Sequence, residues 1–170
     1  MIRALAALLL LPACSLFVKF DDKDIPVDAA PDAFMPFSAD LCNFGEPNDN
    51  AATAFAITPG DTGPAAICPN PDGTVSDVDF YKLTVPDMTT TVTIAINFTV
   101  ATKGDLDLLL FDATGATMLA ESRGFGASET IVCPGVSPAC TPLAAGDYVI
   151  EVVPGVTDDF NQYTVSLTIQ

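Results

Sequence analysis

Glu46-Pro47-Asn48-Asp49 places three oxygen-bearing side chains within one short stretch. Calcium takes six to eight oxygen ligands from carboxylates, amides and backbone carbonyls. Glu46, Asn48 and Asp49 supply three of them, and Pro47 stiffens the segment between. A cation there would offset the repulsion between the carboxylates and pin the chain where it enters a domain. The competing reading is local: Asn48 and Asp49 cap a turn or a following short helix. Asp105 and Asp107 form a second pair, two residues apart, within Gly104-Asp105-Leu106-Asp107-Leu108-Leu109-Leu110-Phe111-Asp112. On a strand, that spacing puts both carboxylates on one face. If that face is buried they need backbone donors or a charged partner, for which Lys82, Lys103 and Arg123 are at hand. Ordering a loop through hydrogen bonds is the reading we prefer for this pair over ligand binding.

Catalytic groupings are thin. The 170 residues contain no histidine, so no Ser or Cys nucleophile has an imidazole base. No Gly-rich phosphate loop precedes a helix. Glycoside hydrolysis needs two distinguished carboxylates, and nothing marks a pair among the many aspartates. With no tryptophan, the usual sugar-stacking platform is also thin. The chain is expected to be no enzyme. Its 22 acidic and 6 basic residues give a net charge of -16, which argues against nucleic acid and anionic lipid surfaces as partners. Solubility is the preferred reading of that acidity, and the alternative is that some of the carboxylates converge on a cation.

The elements that must hold these residues read as strands. The apolar run of residues 106–111 is short and bounded by Gly104 and Gly115, as in a strand buried on both faces. It falls far short of the roughly 20 apolar residues that span a bilayer. We expect it to be the central strand of a sandwich. Further strands are expected over residues 74–85, 91–98, 117–121, 129–133, 147–153 and 163–169. Val92, Ile94, Ile96 and Phe98 alternate with Thr91, Thr93, Ala95 and Asn97. Tyr163, Val165, Leu167 and Ile169 alternate with Thr164, Ser166 and Thr168. Half-buried antiparallel strands produce this period of two. Residues 51–57 fit a short helix or a strand equally well. The spacing of short runs and Gly, Pro, Asn and Asp clusters predicts an all-β sandwich or barrel.

Of the 5 cysteines, Cys42, Cys68, Cys133 and Cys140 fall in this region. Four cysteines allow three pairings. We expect Cys42–Cys68, stapling the start of the domain to a later loop, and Cys133–Cys140, closing a small loop between strand ends. A zinc site is the poorer reading, because there is no histidine and no CxxC pair.

Residues 1–13, MIRALAALLLLPA, have the charged start and short apolar stretch of an export signal. Leu11-Pro12-Ala13-Cys14 resembles the lipobox of bacterial lipoproteins, although Pro12 departs from the commoner residue there. The resemblance implies that Cys14 becomes the lipidated first residue of the mature protein. It implies a membrane attachment through the lipid anchor only, in the cell envelope, with Ser15 pointing to the outer membrane. An ordinary cleaved signal is the alternative. Residues 14–41 are rich in Asp, Pro and Ala and read as a flexible tether. Phe17, Phe20, Phe34, Met35 and Phe37 within it are unusual for a tether.

The order of five segments resembles the bacterial pre-peptidase C-terminal (PPC) domain. These are Glu46-Pro47-Asn48-Asp49, Ser76-Asp77-Val78-Asp79-Phe80-Tyr81, Gly104-Asp105-Leu106-Asp107-Leu108, Ala145-Gly146-Asp147-Tyr148 and Tyr163-Thr164-Val165. The likeness covers residues 42–170 and implies a jelly-roll-like antiparallel β-sandwich of about 7–9 strands. Related domains bind calcium between the acidic N-terminal segment and a nearby strand start. That implies Glu46, Asn48, Asp49, Asp77 and Asp79 as ligands here; the alternative leaves Asp77 and Asp79 on a solvated loop. The family commonly follows secreted peptidases, but only the tether and anchor stand upstream in this sequence, so an enzyme-appendage role is not carried over. The expected function is a non-catalytic cell-envelope lipoprotein that binds an extracellular or envelope protein or a glycan. Phe125 and Phe160 are candidate contacts. The alternatives are a purely structural anchored spacer and, last, an anchored hydrolase.

Overall fold

The computed structural model describes residues 41–43, 45–60, 63–69, 77–98, 104–136, 138–156 and 159–170. The signal, Cys14, nearly all of the tether, residues 74–76 and Lys103 lie outside the described residues. After a single 3-10 turn at Leu41–Asn43, the described residues form eleven strands. They are β1 (Phe55–Ala56), β2 (Pro64–Ile67), β3 (Asp79–Val85), β4 (Val92–Phe98), β5 (Leu106–Asp112) and β6 (Met118–Ser122). Then follow β7 (Ser128–Cys133), β8 (Gly135–Val136), β9 (Ala139–Cys140), β10 (Gly146–Pro154) and β11 (Asn161–Ile169). Five strands make one sheet in the order β1-β3-β10-β5-β6, and four make a second in the order β2-β11-β4-β7. The β8–β9 hairpin lies between Cys133 and Cys140. Pairing is antiparallel throughout except between β1 and β3.

The two alternating segments make the second sheet's interior. Val92, Ile94, Ile96 and Phe98 of β4 are buried beside Tyr163, Val165 and Leu167 of β11. They pack on Tyr81, Leu83 and Val85 of β3, Ile150 and Val152 of β10, and Leu106, Leu108 and Leu110 of β5. Each such side chain contributes on the order of 1.5–3 kcal/mol by leaving water.

The apolar run is indeed β5, buried on both faces from Leu106 to Leu110. It is not the middle strand. β10 occupies that place, hydrogen-bonded to β3 on one side and β5 on the other. The strand expected over residues 74–85 begins only at Asp79, because Asp77 is instead engaged with the backbone of Cys68. Residues 51–57 resolve as a turn, closed by Thr53 N–H to Asn50 O at 3.0 Å, followed by β1. β2 carries no sequence signal of alternation. It forms because Ala65, Ala66 and Ile67 are small or apolar enough to be buried against β11.

The registers gather one set of strand ends. The starts of β3, β5, β7 and β11 and the ends of β2, β4, β6 and β10 lie at the same end of the sandwich. Asn161 Nδ2 of the second sheet donates to Gly104 O, leading into the first, at 3.0 Å. This end holds both acidic groups found in the sequence.

Candidate metal centre

Two segments build the first group: the approach to β1 and the approach to β3. Gly45 turns the chain with φ 82°, a left-handed conformation that costs glycine little. Glu46 then accepts the Asn48 N–H at Oε2, 2.8 Å. Asn48 O accepts the Phe80 N–H at 2.9 Å, which ties the segment to β3. On the other side, Asp77 and Cys68 exchange two bonds. Asp77 N–H donates to Cys68 O and Cys68 N–H donates to Asp77 Oδ2, both at 3.3 Å. Cys68 is itself joined to Cys42, the expected pairing, with the Cα atoms 5.7 Å apart. Cys133–Cys140 is the second expected disulfide.

The result is a cluster in which carboxylate oxygens of Glu46, Asp49 and Asp77 lie within 4.8 Å of one another. Glu46 and Asp77 are half-buried and Asp49 is exposed. Beside them Asn48 is wholly buried, and neither its amide nitrogen nor its amide oxygen meets a hydrogen-bond partner among the described residues. The Asp79 carboxylate feels the Asn48 amide as a favourable dipole, without a bond of ordinary geometry between them. Burial pushes the Asp77 carboxyl up to about 6, and the charges of Glu46 and Asp49 add to this against the opposing Cys68 N–H.

The donors fit a hard divalent cation. Calcium–oxygen bonds of about 2.3–2.6 Å put opposite ligands about 5 Å apart, which encloses the observed carboxylate spacing. The set is all oxygen, with no thiolate or imidazole to favour a softer metal. An orphaned buried amide costs roughly 1–3 kcal/mol, and a cation accepting its oxygen removes part of that cost.

Asp79 stands apart from the three-carboxylate cluster. It faces the interior, 2% exposed, and accepts the Tyr163 hydroxyl proton. Since Tyr163 spends its proton there, the 2.6 Å contact between the two tyrosine hydroxyls has Tyr81 as donor. Burial pushes the Asp79 carboxyl up to about 7, resisted by the Tyr163 bond and reinforced by Asp77 and Glu46. Burial and the Asp79 charge likewise raise both tyrosine hydroxyls. Sequence reasoning missed this chain. Its signal was two tyrosines at inward positions, whose hydroxyls must find partners.

The second acidic group orders loops. Arg123 Nη1 meets Asp107 at 2.6 Å, and Arg123 Nε meets Glu121 at 2.7 Å. Buried Glu129 accepts Ser122 Oγ–H, and also Gly124 N–H at 2.9 Å. Asp159 Oδ2 accepts the Asp105 and Val156 N–H groups at 3.0 and 3.3 Å. Gly104, at φ 121°, passes so close to Asp159 that a side chain there would meet its carboxyl. Burial, then Asp107 and Glu129, raise the Asp105 carboxyl. Lys82 pairs instead with Asp147 on the first sheet, at 2.7 Å. Between Gly124 and Gly126 at this end, Phe125 is 95% exposed, whereas Phe160 is half-buried.

The two disulfides fit an oxidising location outside the cytoplasm. Among the described residues no helix is long and apolar enough to cross a membrane. No protein-family model matches the chain, and no curated protein matches it. Among solved structures, it is similar to the pre-peptidase C-terminal domain of collagenase from Bacillus anthracis. That match has 14% identity, covers 68% of this chain and 94% of that one, and has a TM-score of 0.50. A carbohydrate-binding module of Cellvibrio mixtus lichenase 5A, solved with cellotriose, also matches at 14% identity over 65% of this chain and 88% of that one. Its TM-score of 0.34 is too loose a likeness to inform on this chain.

Proposed function

From a PPC-like sandwich with one oxygen-donor cluster at its N-terminal approach, we propose a non-catalytic, calcium-pinned binding module of the bacterial cell envelope. Glu46, Asn48, Asp49 and Asp77 hold the calcium, and Asp79 stands behind them as a second carboxylate layer joined to Tyr163. Calcium supplies positive charge and coordination that close the approach to β1 onto the approach to β3. The observation that carries the reading is Asn48. Its amide is wholly buried next to three converging carboxylates, and its oxygen meets no hydrogen-bond partner among the described residues, which supports a cation taken between them.

The module is held at the surface by lipid on Cys14, through the tether of residues 14–41. It presents its cation-bearing end, with the exposed Phe125, to an extracellular protein or glycan. Glu129 pins the loop at Gly124, so an aromatic anchor is offered at small entropic cost to the partner complex. Isothermal titration of calcium into the purified chain tests the cation. Uptake of about one calcium per chain, abolished by Asp77→Asn, is expected for a single site of this kind. No heat at millimolar calcium overturns the reading.

A further inference from the structure

We infer that the Cys42–Cys68 disulfide is a positioning element of the cation site, so that calcium affinity and the redox state of this disulfide are coupled. The inference rests on the calcium reading above and adds a control of that site. Cys42 lies four residues before Glu46, and Cys68 carries the backbone that grips Asp77 on both sides. One covalent bond thus ties the segment that supplies Glu46, Asn48 and Asp49 to the segment whose backbone grips Asp77. Asp77 belongs to no strand, and Glu46 and Asp49 also lie outside the sheets. Of the ligand-bearing segments, Glu46 to Asp49 is fixed to β3 through Asn48 O, and Asp77 is fixed to Cys68. Cys68 is 7% exposed and follows directly after β2, so its backbone is firmly placed. The Cys133–Cys140 disulfide closes the β8–β9 hairpin at the other end of the sandwich from these residues.

Opening Cys42–Cys68 removes the covalent link from the approach to β1 to the segment that grips Asp77 and leaves the approach tied to β3 through the Asn48 O bond to Phe80 N–H. Part of the ordering of the ligands then falls to binding, and that cost appears as lost affinity. Coupling between two equilibria is reciprocal. The same factor must therefore appear in the reduction equilibrium. A dithiol reductant delivers two electrons and two protons to the protein disulfide, giving two thiols, and is itself oxidised to a cyclic disulfide. Saturating calcium shifts this exchange toward the intact Cys42–Cys68 bond.

The test uses the whole chain in two arms. In the first, calcium titration compares the wild type with Cys42→Ser/Cys68→Ser and with Cys133→Ser/Cys140→Ser. The calcium Kd rises by about tenfold or more in the first variant, within the usual range of coupling between sites, and by less than about twofold in the second. In the second arm, the wild type is equilibrated with graded ratios of reduced to oxidised dithiol, and peptide mapping reads each disulfide. Saturating calcium raises the ratio that half-reduces Cys42–Cys68 by the same factor, and leaves Cys133–Cys140 unmoved. The second arm decides the matter if the serine variant does not fold. If the wild type binds calcium but neither arm moves, the coupling is overturned and the calcium reading stands. If the wild type takes up no calcium, both fall.

Discussion

Tyr163 of β11 donates its hydroxyl proton to the Asp79 carboxylate of β3, across the space between the two sheets. Tyr81 donates in turn to Tyr163 at 2.6 Å. Two tyrosines and one carboxylate therefore form a directed chain between the sheets, ending two residues from Asp77. Tyr163→Phe removes the donor and leaves a buried carboxylate facing a ring. The expected cost is roughly 1–3 kcal/mol, read as a fall in the urea midpoint. Tyr81→Phe removes only the bond into Tyr163 and is expected to cost about 1 kcal/mol. Equal and negligible costs for both would mean that the chain does not hold the sheets.

The raised carboxyls set a pH dependence for the cation-free protein. Asp77 moves from 3.8 to about 6 and Asp79 from 3.8 to about 7. In that window the folded chain binds more protons than the unfolded one, so stability falls as pH rises. The contribution is full below pH 3.8 and lost above about 7. Urea melts in chelator from pH 4 to 7.5 are expected to show this decline. Added calcium, which binds the ionised carboxylates, reverses it toward neutral pH.

The interior and the edge of the first sheet should respond differently to truncation. Leu108 of β5 is 0% exposed, whereas Leu119 of the edge strand β6 is 37% exposed. Leu108→Ala is expected to cost about 2–5 kcal/mol, and Leu119→Ala well under half of that. Thermal or urea unfolding of the two variants measures the difference.

How much of this was written in the residues is uneven. The period-two alternation of Val92–Phe98 and of Tyr163–Ile169 is a property of single strands, and it appears in the sheet as β4 paired with β11. The leucine run likewise announces burial on both faces. Its rank within the sheet is not a local property, and β10 took the middle place through pairing on both edges. Asp79 shows the same limit at the site. Two residues from Asp77 in sequence it looks like an equal ligand, but Asp77 lies outside any strand while Asp79 opens β3 with its side chain facing inward, which sends its carboxylate to Tyr163, 84 residues away. The Asp77–Cys68 pair was illegible because Cys68 acts there through its backbone, which side-chain type does not encode.

The proposed anchor has its own test. Cells fed a clickable fatty acid should label the wild-type chain and leave Cys14→Ala unlabelled. The label should co-fractionate with the membrane. Labelling that survives Cys14→Ala would place the acyl group elsewhere and end the anchor assignment.

The central claim is that a cation completes the cluster of Glu46, Asn48, Asp49 and Asp77. Thermal unfolding at neutral pH, with and without calcium, tests it most directly. At calcium about 100 times its Kd, the wild type is expected to gain about 2.7 kcal/mol and to melt several degrees higher, while Asp77→Asn gains little. A wild-type melting temperature unmoved by millimolar calcium would contradict the account.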